Sequence, residues 1–202
     1  MKTTKGLNLR EIIVMAAIAA VFGVLYLVWI FFGQFIQATF GPVGWGFISG
    51  FWIIAPILCA YIIRKPGVAL IAELIAATIE VLVGSVNAGV VLLLGFTQGI
   101  GAELAFAIFL YRNYRLPVLM LAGIFGTSAN FMTIYFLYGY SQYSNILTGL
   151  MFMAMVISGA LIAGWGSKSI ADGLSRTGVL ANFALGKIYH EQRNEQYASQ
   201  EQ

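Results

Sequence analysis

The sequence predicts an all-α integral membrane protein with six transmembrane helices, both termini cytoplasmic and short, charge-free outer loops. Three observations predict it. The 202 residues are 60% hydrophobic and only 9% charged, with a mean hydropathy of +0.86, whereas a soluble domain carries about a quarter charged residues. The charges are also segregated: none occurs from Ile12 to Ile63 or from Leu116 to Ser167, and only Glu73, Glu80 and Glu103 interrupt the run from Pro66 to Tyr111. Finally, the period-2 alternation of a membrane barrel is absent. Helices are then the remaining way to satisfy the backbone in hydrocarbon.

A spanning helix needs about 20 predominantly apolar residues, and each of the three apolar blocks holds two. The first helix is expected from about Leu9 to Phe32. Its small residues, AAIAA, come at the start of the apolar stretch, where a signal-peptidase site would not lie, so the stretch is read as a retained helix. The second runs from about Gly46 to Ile63 and stops at RKPG. The third, Gly67 to Val83, stops at GSVNAG. The fourth, Gly89 to Tyr111, is followed by YRNYRLP, the fifth, Pro117 to Tyr138, by GYSQYSN, and the sixth spans Ile146 to Ser169. Residues 1–176 are thus expected to form one transmembrane substrate-binding domain, and 177–202 an amphipathic or disordered cytoplasmic tail.

Basic residues set the expected orientation. Lys2, Lys5 and Arg10 precede the first helix, and Arg64 and Lys65 separate the second from the third. Arg112 and Arg115 separate the fourth from the fifth, and Lys168, Arg176, Lys187 and Arg193 lie at or beyond the end of the sixth. All eleven fall on one side, which the positive-inside rule makes the cytoplasm. The pI near 9.0 then reflects loops beside anionic lipid rather than nucleic-acid binding.

Enzymatic chemistries find no support in the motifs. The spacing nearest to a phosphate-binding loop runs from Gly159 to Gly164 and continues with Trp165 where a Lys is required. The single His190 is in the tail and Cys59 is in the second helix, so no metal set, disulfide or Ser-His nucleophile is built from them. No cofactor is expected.

The carboxylates are the informative residues. Glu73 and Glu80 are seven apart, which places them on one helix face about 10 Å apart along the axis. Glu80 is near the outer end of its helix, while Glu73 and Glu103 lie at about the same depth, roughly 12 Å from the cytoplasmic boundary. A carboxylate in a bilayer costs several kcal/mol and usually faces a cavity or a partner, yet no predicted span holds a Lys, Arg or His away from its cytoplasmic end. Glu80 is read as a ligand contact, Glu103 equally as ligand contact or as a carboxyl bonded to a neighbouring helix, and Glu73 as structural. Gln98 and Asn130 are amides within spans that need hydrogen-bond partners. Trp45 and Tyr135 belong to an aromatic outer rim with Trp52, Tyr138 and Tyr140. Membrane-interface belts explain most such rings individually, but a ring beside a carboxylate also suits a flat organic cation. The candidate substrate-binding set is Glu80, Gln98, Glu103, Asn130, Trp45 and Tyr135, open to the outside. In the first helix, Ala16 and Ala20, and likewise Ala19 and Gly23, form stripes of small residues. These fit internal packing or a docking face for another membrane subunit.

Six helices in about 200 residues without an ATP-binding motif, with an AxxxA stripe in the first helix, resemble the substrate-binding S components of energy-coupling factor (ECF) vitamin transporters. NLREIIVMAAIAAVFGVLYLVW, GFTQGIGAELAFAIF and GTSANF are similar to the YkoE group, associated with thiamine or its hydroxymethylpyrimidine precursor. The resemblance covers roughly residues 7–176. It implies a transmembrane coupling subunit and ATPase subunits as partners, thiamine or a related planar vitamin precursor as substrate, and Ala16 and Ala20 as the docking motif. The competing expectation is a stand-alone proton-coupled secondary transporter for a small organic cation, with Glu73 and Glu103 as a relay, although no internal repeat is evident.

Overall fold

Asn8 starts the first helix with a reciprocal cap: its side chain accepts the Glu11 N–H at 2.9 Å, and the Glu11 carboxylate accepts the Asn8 N–H at 2.8 Å. Helix α1 (Leu9–Phe40) then continues for 32 residues, eight beyond the expected end at Phe32. Nothing from Gly33 to Phe40 breaks a helix, and the first stop is the Gly41-Pro42 pair. At about 1.5 Å per residue α1 is some 48 Å long, well over the roughly 30 Å hydrocarbon thickness. The computed structural model describes residues 6–200, and they form helices with no strand.

The second span is broken where a single helix from Gly46 is expected. It consists of α2 (Val43–Ile48), a 3₁₀ turn (Ser49–Ile53) and α3 (Ile54–Ile63). Pro56 supplies the reason, because it has no N–H to donate and its ring crowds the carbonyl four residues earlier, at Trp52. All ten residues of α3 are buried, making it the central post of the bundle. Helix α4 (Val68–Val83) packs on α1, α3 and α5 (Ala88–Ile108), and α5 packs on α6 (Leu116–Leu137).

After a short 3₁₀ turn (Tyr140–Gln142), α7 (Asn145–Ser158) passes through a π-helical segment (Gly159–Trp165) into α8 (Gly166–Arg176) without a break. The π segment is the close-contact zone with α6. A Cβ on Gly123 would stand 1.9 Å from the Gly159 carbonyl oxygen, so the two backbones touch only because both residues lack side chains. At the end that carries the basic residues, the Tyr61 hydroxyl donates to Asp172 at 3.0 Å, and Lys168 pairs with the same carboxylate. Beyond α8, Leu180, Phe183 and Leu185 are buried in the main core, and α9 (Ala184–Gln200) packs on α3 and α8.

Among the described residues, five stretches are long and apolar enough to cross a membrane: Leu9–Phe40, Val43–Ile63, Ala88–Ile108, Leu116–Leu137 and Asn145–Arg176. Helix α4 has 16 residues, short of the roughly 20 that a full span needs. It is nonetheless the helix that carries Glu73 and Glu80.

Candidate functional site

The helices enclose a cavity of about 480 Å³, within the usual range for a small-molecule site. Its walls follow from helix phase. On α4, Glu73, Ala77 and Glu80 recur at i, i+4 and i+7 and form one face, which lines the cavity. On α6 the same rule brings Asn130 and Ile134 to the cavity side, and Tyr138, the residue that caps its C-terminus, lines the cavity with them. Trp45 and Trp52 line it as well, their rings 5.7 Å apart and inclined by 43°. The Trp45 indole N–H donates to Gln37 Oε1 at 2.5 Å, so the far end of α1 orients one aromatic wall. Extending α1 to Phe40 is what brings Gln37 within reach.

Glu80 is 5% exposed and lines the cavity, and its carboxyl makes no hydrogen bond or ion pair among the described residues. Glu73, 1% exposed, is deeper. The Tyr26 hydroxyl donates to its Oε2 at 3.3 Å and accepts the Ala55 N–H at 3.2 Å. That hydroxyl therefore ties the cavity floor to the first turn of α3. Asn130, 8% exposed, has an Oδ1 without a hydrogen-bond partner. A buried polar atom of this kind costs about 1–3 kcal/mol while unpaired. In the loop after α6, burial pushes the Tyr140 phenol above its ordinary value, with Tyr143 and Tyr138 adding to the effect. It therefore stays a neutral donor beside the cavity.

Of the six candidate substrate-binding residues, Trp45, Glu80, Gln98 and Asn130 line this cavity together, while Glu103 and Tyr135 do not. Glu103 instead accepts the N–H groups of Gly67 at 2.5 Å, Ala69 at 2.9 Å and Leu70 at 3.3 Å. It satisfies first-turn donors of α4 that have no partner within the helix, and a carboxylate at a helix N-terminus is also favoured by the dipole. Tyr135 is one residue, or about 100°, off the α6 cavity face and packs on Phe131 and Phe136. Glu73, expected to be structural, has both roles, since it bonds to Tyr26 and faces the cavity. Its shared face with Glu80 is the sequence signal for the second role. Ile30, Leu94 and Met155 also line the cavity, and ordinary apolar residues carry no such signal.

The two small-residue stripes of α1 separate. Ala19 and Gly23 are buried, and a Cβ on Gly23 would lie 2.5 Å from the Ala76 carbonyl oxygen, so this stripe packs α1 onto α4. Ala16 and Ala20 are half-buried at its border.

With this geometry in place, the relatives are informative. The sequence profile of the family described as "ABC-type cobalt transport system, permease component" matches residues 10–129. A Bacillus subtilis (strain 168) protein that carries the name HMP/thiamine permease protein YkoE is 42% identical over 189 residues, covering 94% of this chain and 95% of its own. A solved structure described as an S-component of an ECF transporter superposes with a TM-score of 0.92 at 41% identity, covering 98% of this chain and 99% of that one. The chain is therefore a multi-pass membrane transport component and belongs to the S components of energy-coupling factor transporters, within the YkoE group.

Proposed function

We propose that this S component captures thiamine or its hydroxymethylpyrimidine precursor from outside the cell and passes it to an ATP-driven coupling module. The observation that carries this reading is the cavity that Glu80, its carboxyl without a partner of its own, lines together with Trp45, Trp52, Gln98 and Asn130. A planar cation gains there from stacking and cation–π attraction, and its N–H groups meet the carboxyl and amide oxygens. Thiamine combines a permanent thiazolium charge with an aminopyrimidine, and the name of the Bacillus subtilis relative points the same way. A cobalt ion, which the family description mentions, fits less well: no group of three or more His, Cys, Asp or Glu residues is arranged to hold a metal among the described residues.

The topology proposed with this function counts α4 as a sixth membrane segment, shielded from lipid by α1, α3 and α5, and places both termini in the cytoplasm of a cell-membrane protein. Glu80 and the mouth then open outward. The competing proton-coupled carrier needs Glu103 as a relay, and its engagement with three N–H groups favours the S-component reading.

Titration calorimetry on the purified protein tests the substrate. Thiamine or hydroxymethylpyrimidine should bind, and Glu80→Gln should weaken thiamine binding by about tenfold to a hundredfold, the worth of one charge-assisted hydrogen bond. Failure of both compounds to bind would overturn the substrate assignment.

A further inference from the structure

We propose that the cavity discriminates by charge, admitting the free alcohol form of its ligand and rejecting phosphate esters of the same compound. This rests on the reading of the cavity as the thiamine-type site. Its lining contains Glu73 and Glu80 but, among the described residues, no Lys, Arg or His. Two acceptors are left to meet a ligand: the Glu80 carboxyl has no hydrogen-bond partner among the described residues, and Asn130 Oδ1 is unpaired. Acceptors match the N–H groups and positive charge of an aminopyrimidine or thiazolium. They oppose the oxygens of a phosphate.

A phosphate ester brings about 1.5 to 2 negative charges and three acceptor oxygens near neutral pH, and a buried charge is tolerated only with a counter-charge. No such charge is near. Lys65 is engaged with Glu11 at 2.7 Å, and its position fifteen residues before Glu80 puts it about 22 Å away along the helix direction, beyond the roughly 8 Å screening length of physiological salt. The segments flanking the mouth, residues 84–87 and 138–144, are uncharged. One like-charge pair about 6 Å apart is worth on the order of a hundredfold in affinity at an effective dielectric constant near 20.

Calorimetry on the full chain with matched pairs tests the idea, using thiamine against thiamine monophosphate and hydroxymethylpyrimidine against its monophosphate. Each ester should bind on the order of a hundredfold more weakly than its parent. Glu80→Gln should narrow that ratio. Tyr138→Lys, which places a cation at an exposed lining position without disturbing the core, should narrow it by roughly tenfold. Equal affinity for a parent and its ester overturns the charge filter while leaving the site assignment standing. An unchanged ratio in Tyr138→Lys overturns it as well. If neither parent binds, the site assignment falls and the charge filter falls with it.

Discussion

Removing the Glu103 carboxylate should cost the protein stability and leave ligand affinity nearly unchanged. The side chain accepts three N–H groups at the start of α4, at 2.5, 2.9 and 3.3 Å, and it lies outside the cavity lining. Losing a helix N-terminal cap costs about 0.5–2 kcal/mol, and hydrogen bonds to a charged group are worth about 1.5–3 kcal/mol each. Glu103 is only half-buried, so water recovers part of the loss, which puts Glu103→Ala at about 2–4 kcal/mol. At roughly 2–4 °C per kcal/mol for a chain of this size, the melting temperature should fall by roughly 5–15 °C. Glu103→Gln keeps one acceptor oxygen and should lose about half as much. The assay is thermal unfolding in detergent followed by tryptophan fluorescence, run beside thiamine calorimetry on the same samples. An unaltered melting temperature together with a tenfold loss of affinity in Glu103→Gln would refute the capping role and return Glu103 to the binding site.

Three further outcomes are expected. Gly123→Ala should lower stability by about 1–3 kcal/mol through overpacking, because its Cβ would stand 1.9 Å from the Gly159 carbonyl oxygen; an unchanged unfolding curve would show that α6 and the π segment separate freely. Ala16→Trp and Ala20→Trp should abolish co-purification with the coupling subunit while thiamine calorimetry on the isolated protein stays normal, since a bulky ring prevents close helix approach in lipid. Joint loss of melting temperature and binding would instead assign these alanines to internal packing. In a Cys59→Ala background, a cysteine at Gln142 should react with an impermeant reagent in intact cells and one at Asn113 should not, and the reverse pattern would invert the topology.

Helix existence was legible in the sequence because each apolar run carries its own backbone hydrogen bonds and lipid satisfies nothing else. The basic residues at Arg64 and Lys65, Arg112 and Arg115, and Lys168 and Arg176 mark where those runs end at one boundary. Local phase was legible too: a seven-residue spacing puts Glu73 and Glu80 on one face whatever surrounds them. Tertiary structure decided what that face meets. The cavity reaches down to Glu73 because Tyr26 of α1 and the broken helix around Pro56 meet it there. Glu103, at about the same depth by residue counting, faces the bare N–H groups of α4 and becomes a cap. Tyr135 and Tyr138 read alike as rim aromatics, yet the rotation of α6 turns only Tyr138 to the cavity. That rotation depends on the backbone contact of Gly123 with Gly159, two residues 36 positions apart. A helix's phase repeats within four residues and is therefore local, whereas the azimuth at which it packs is set by contacts between distant segments, which no single stretch of sequence contains.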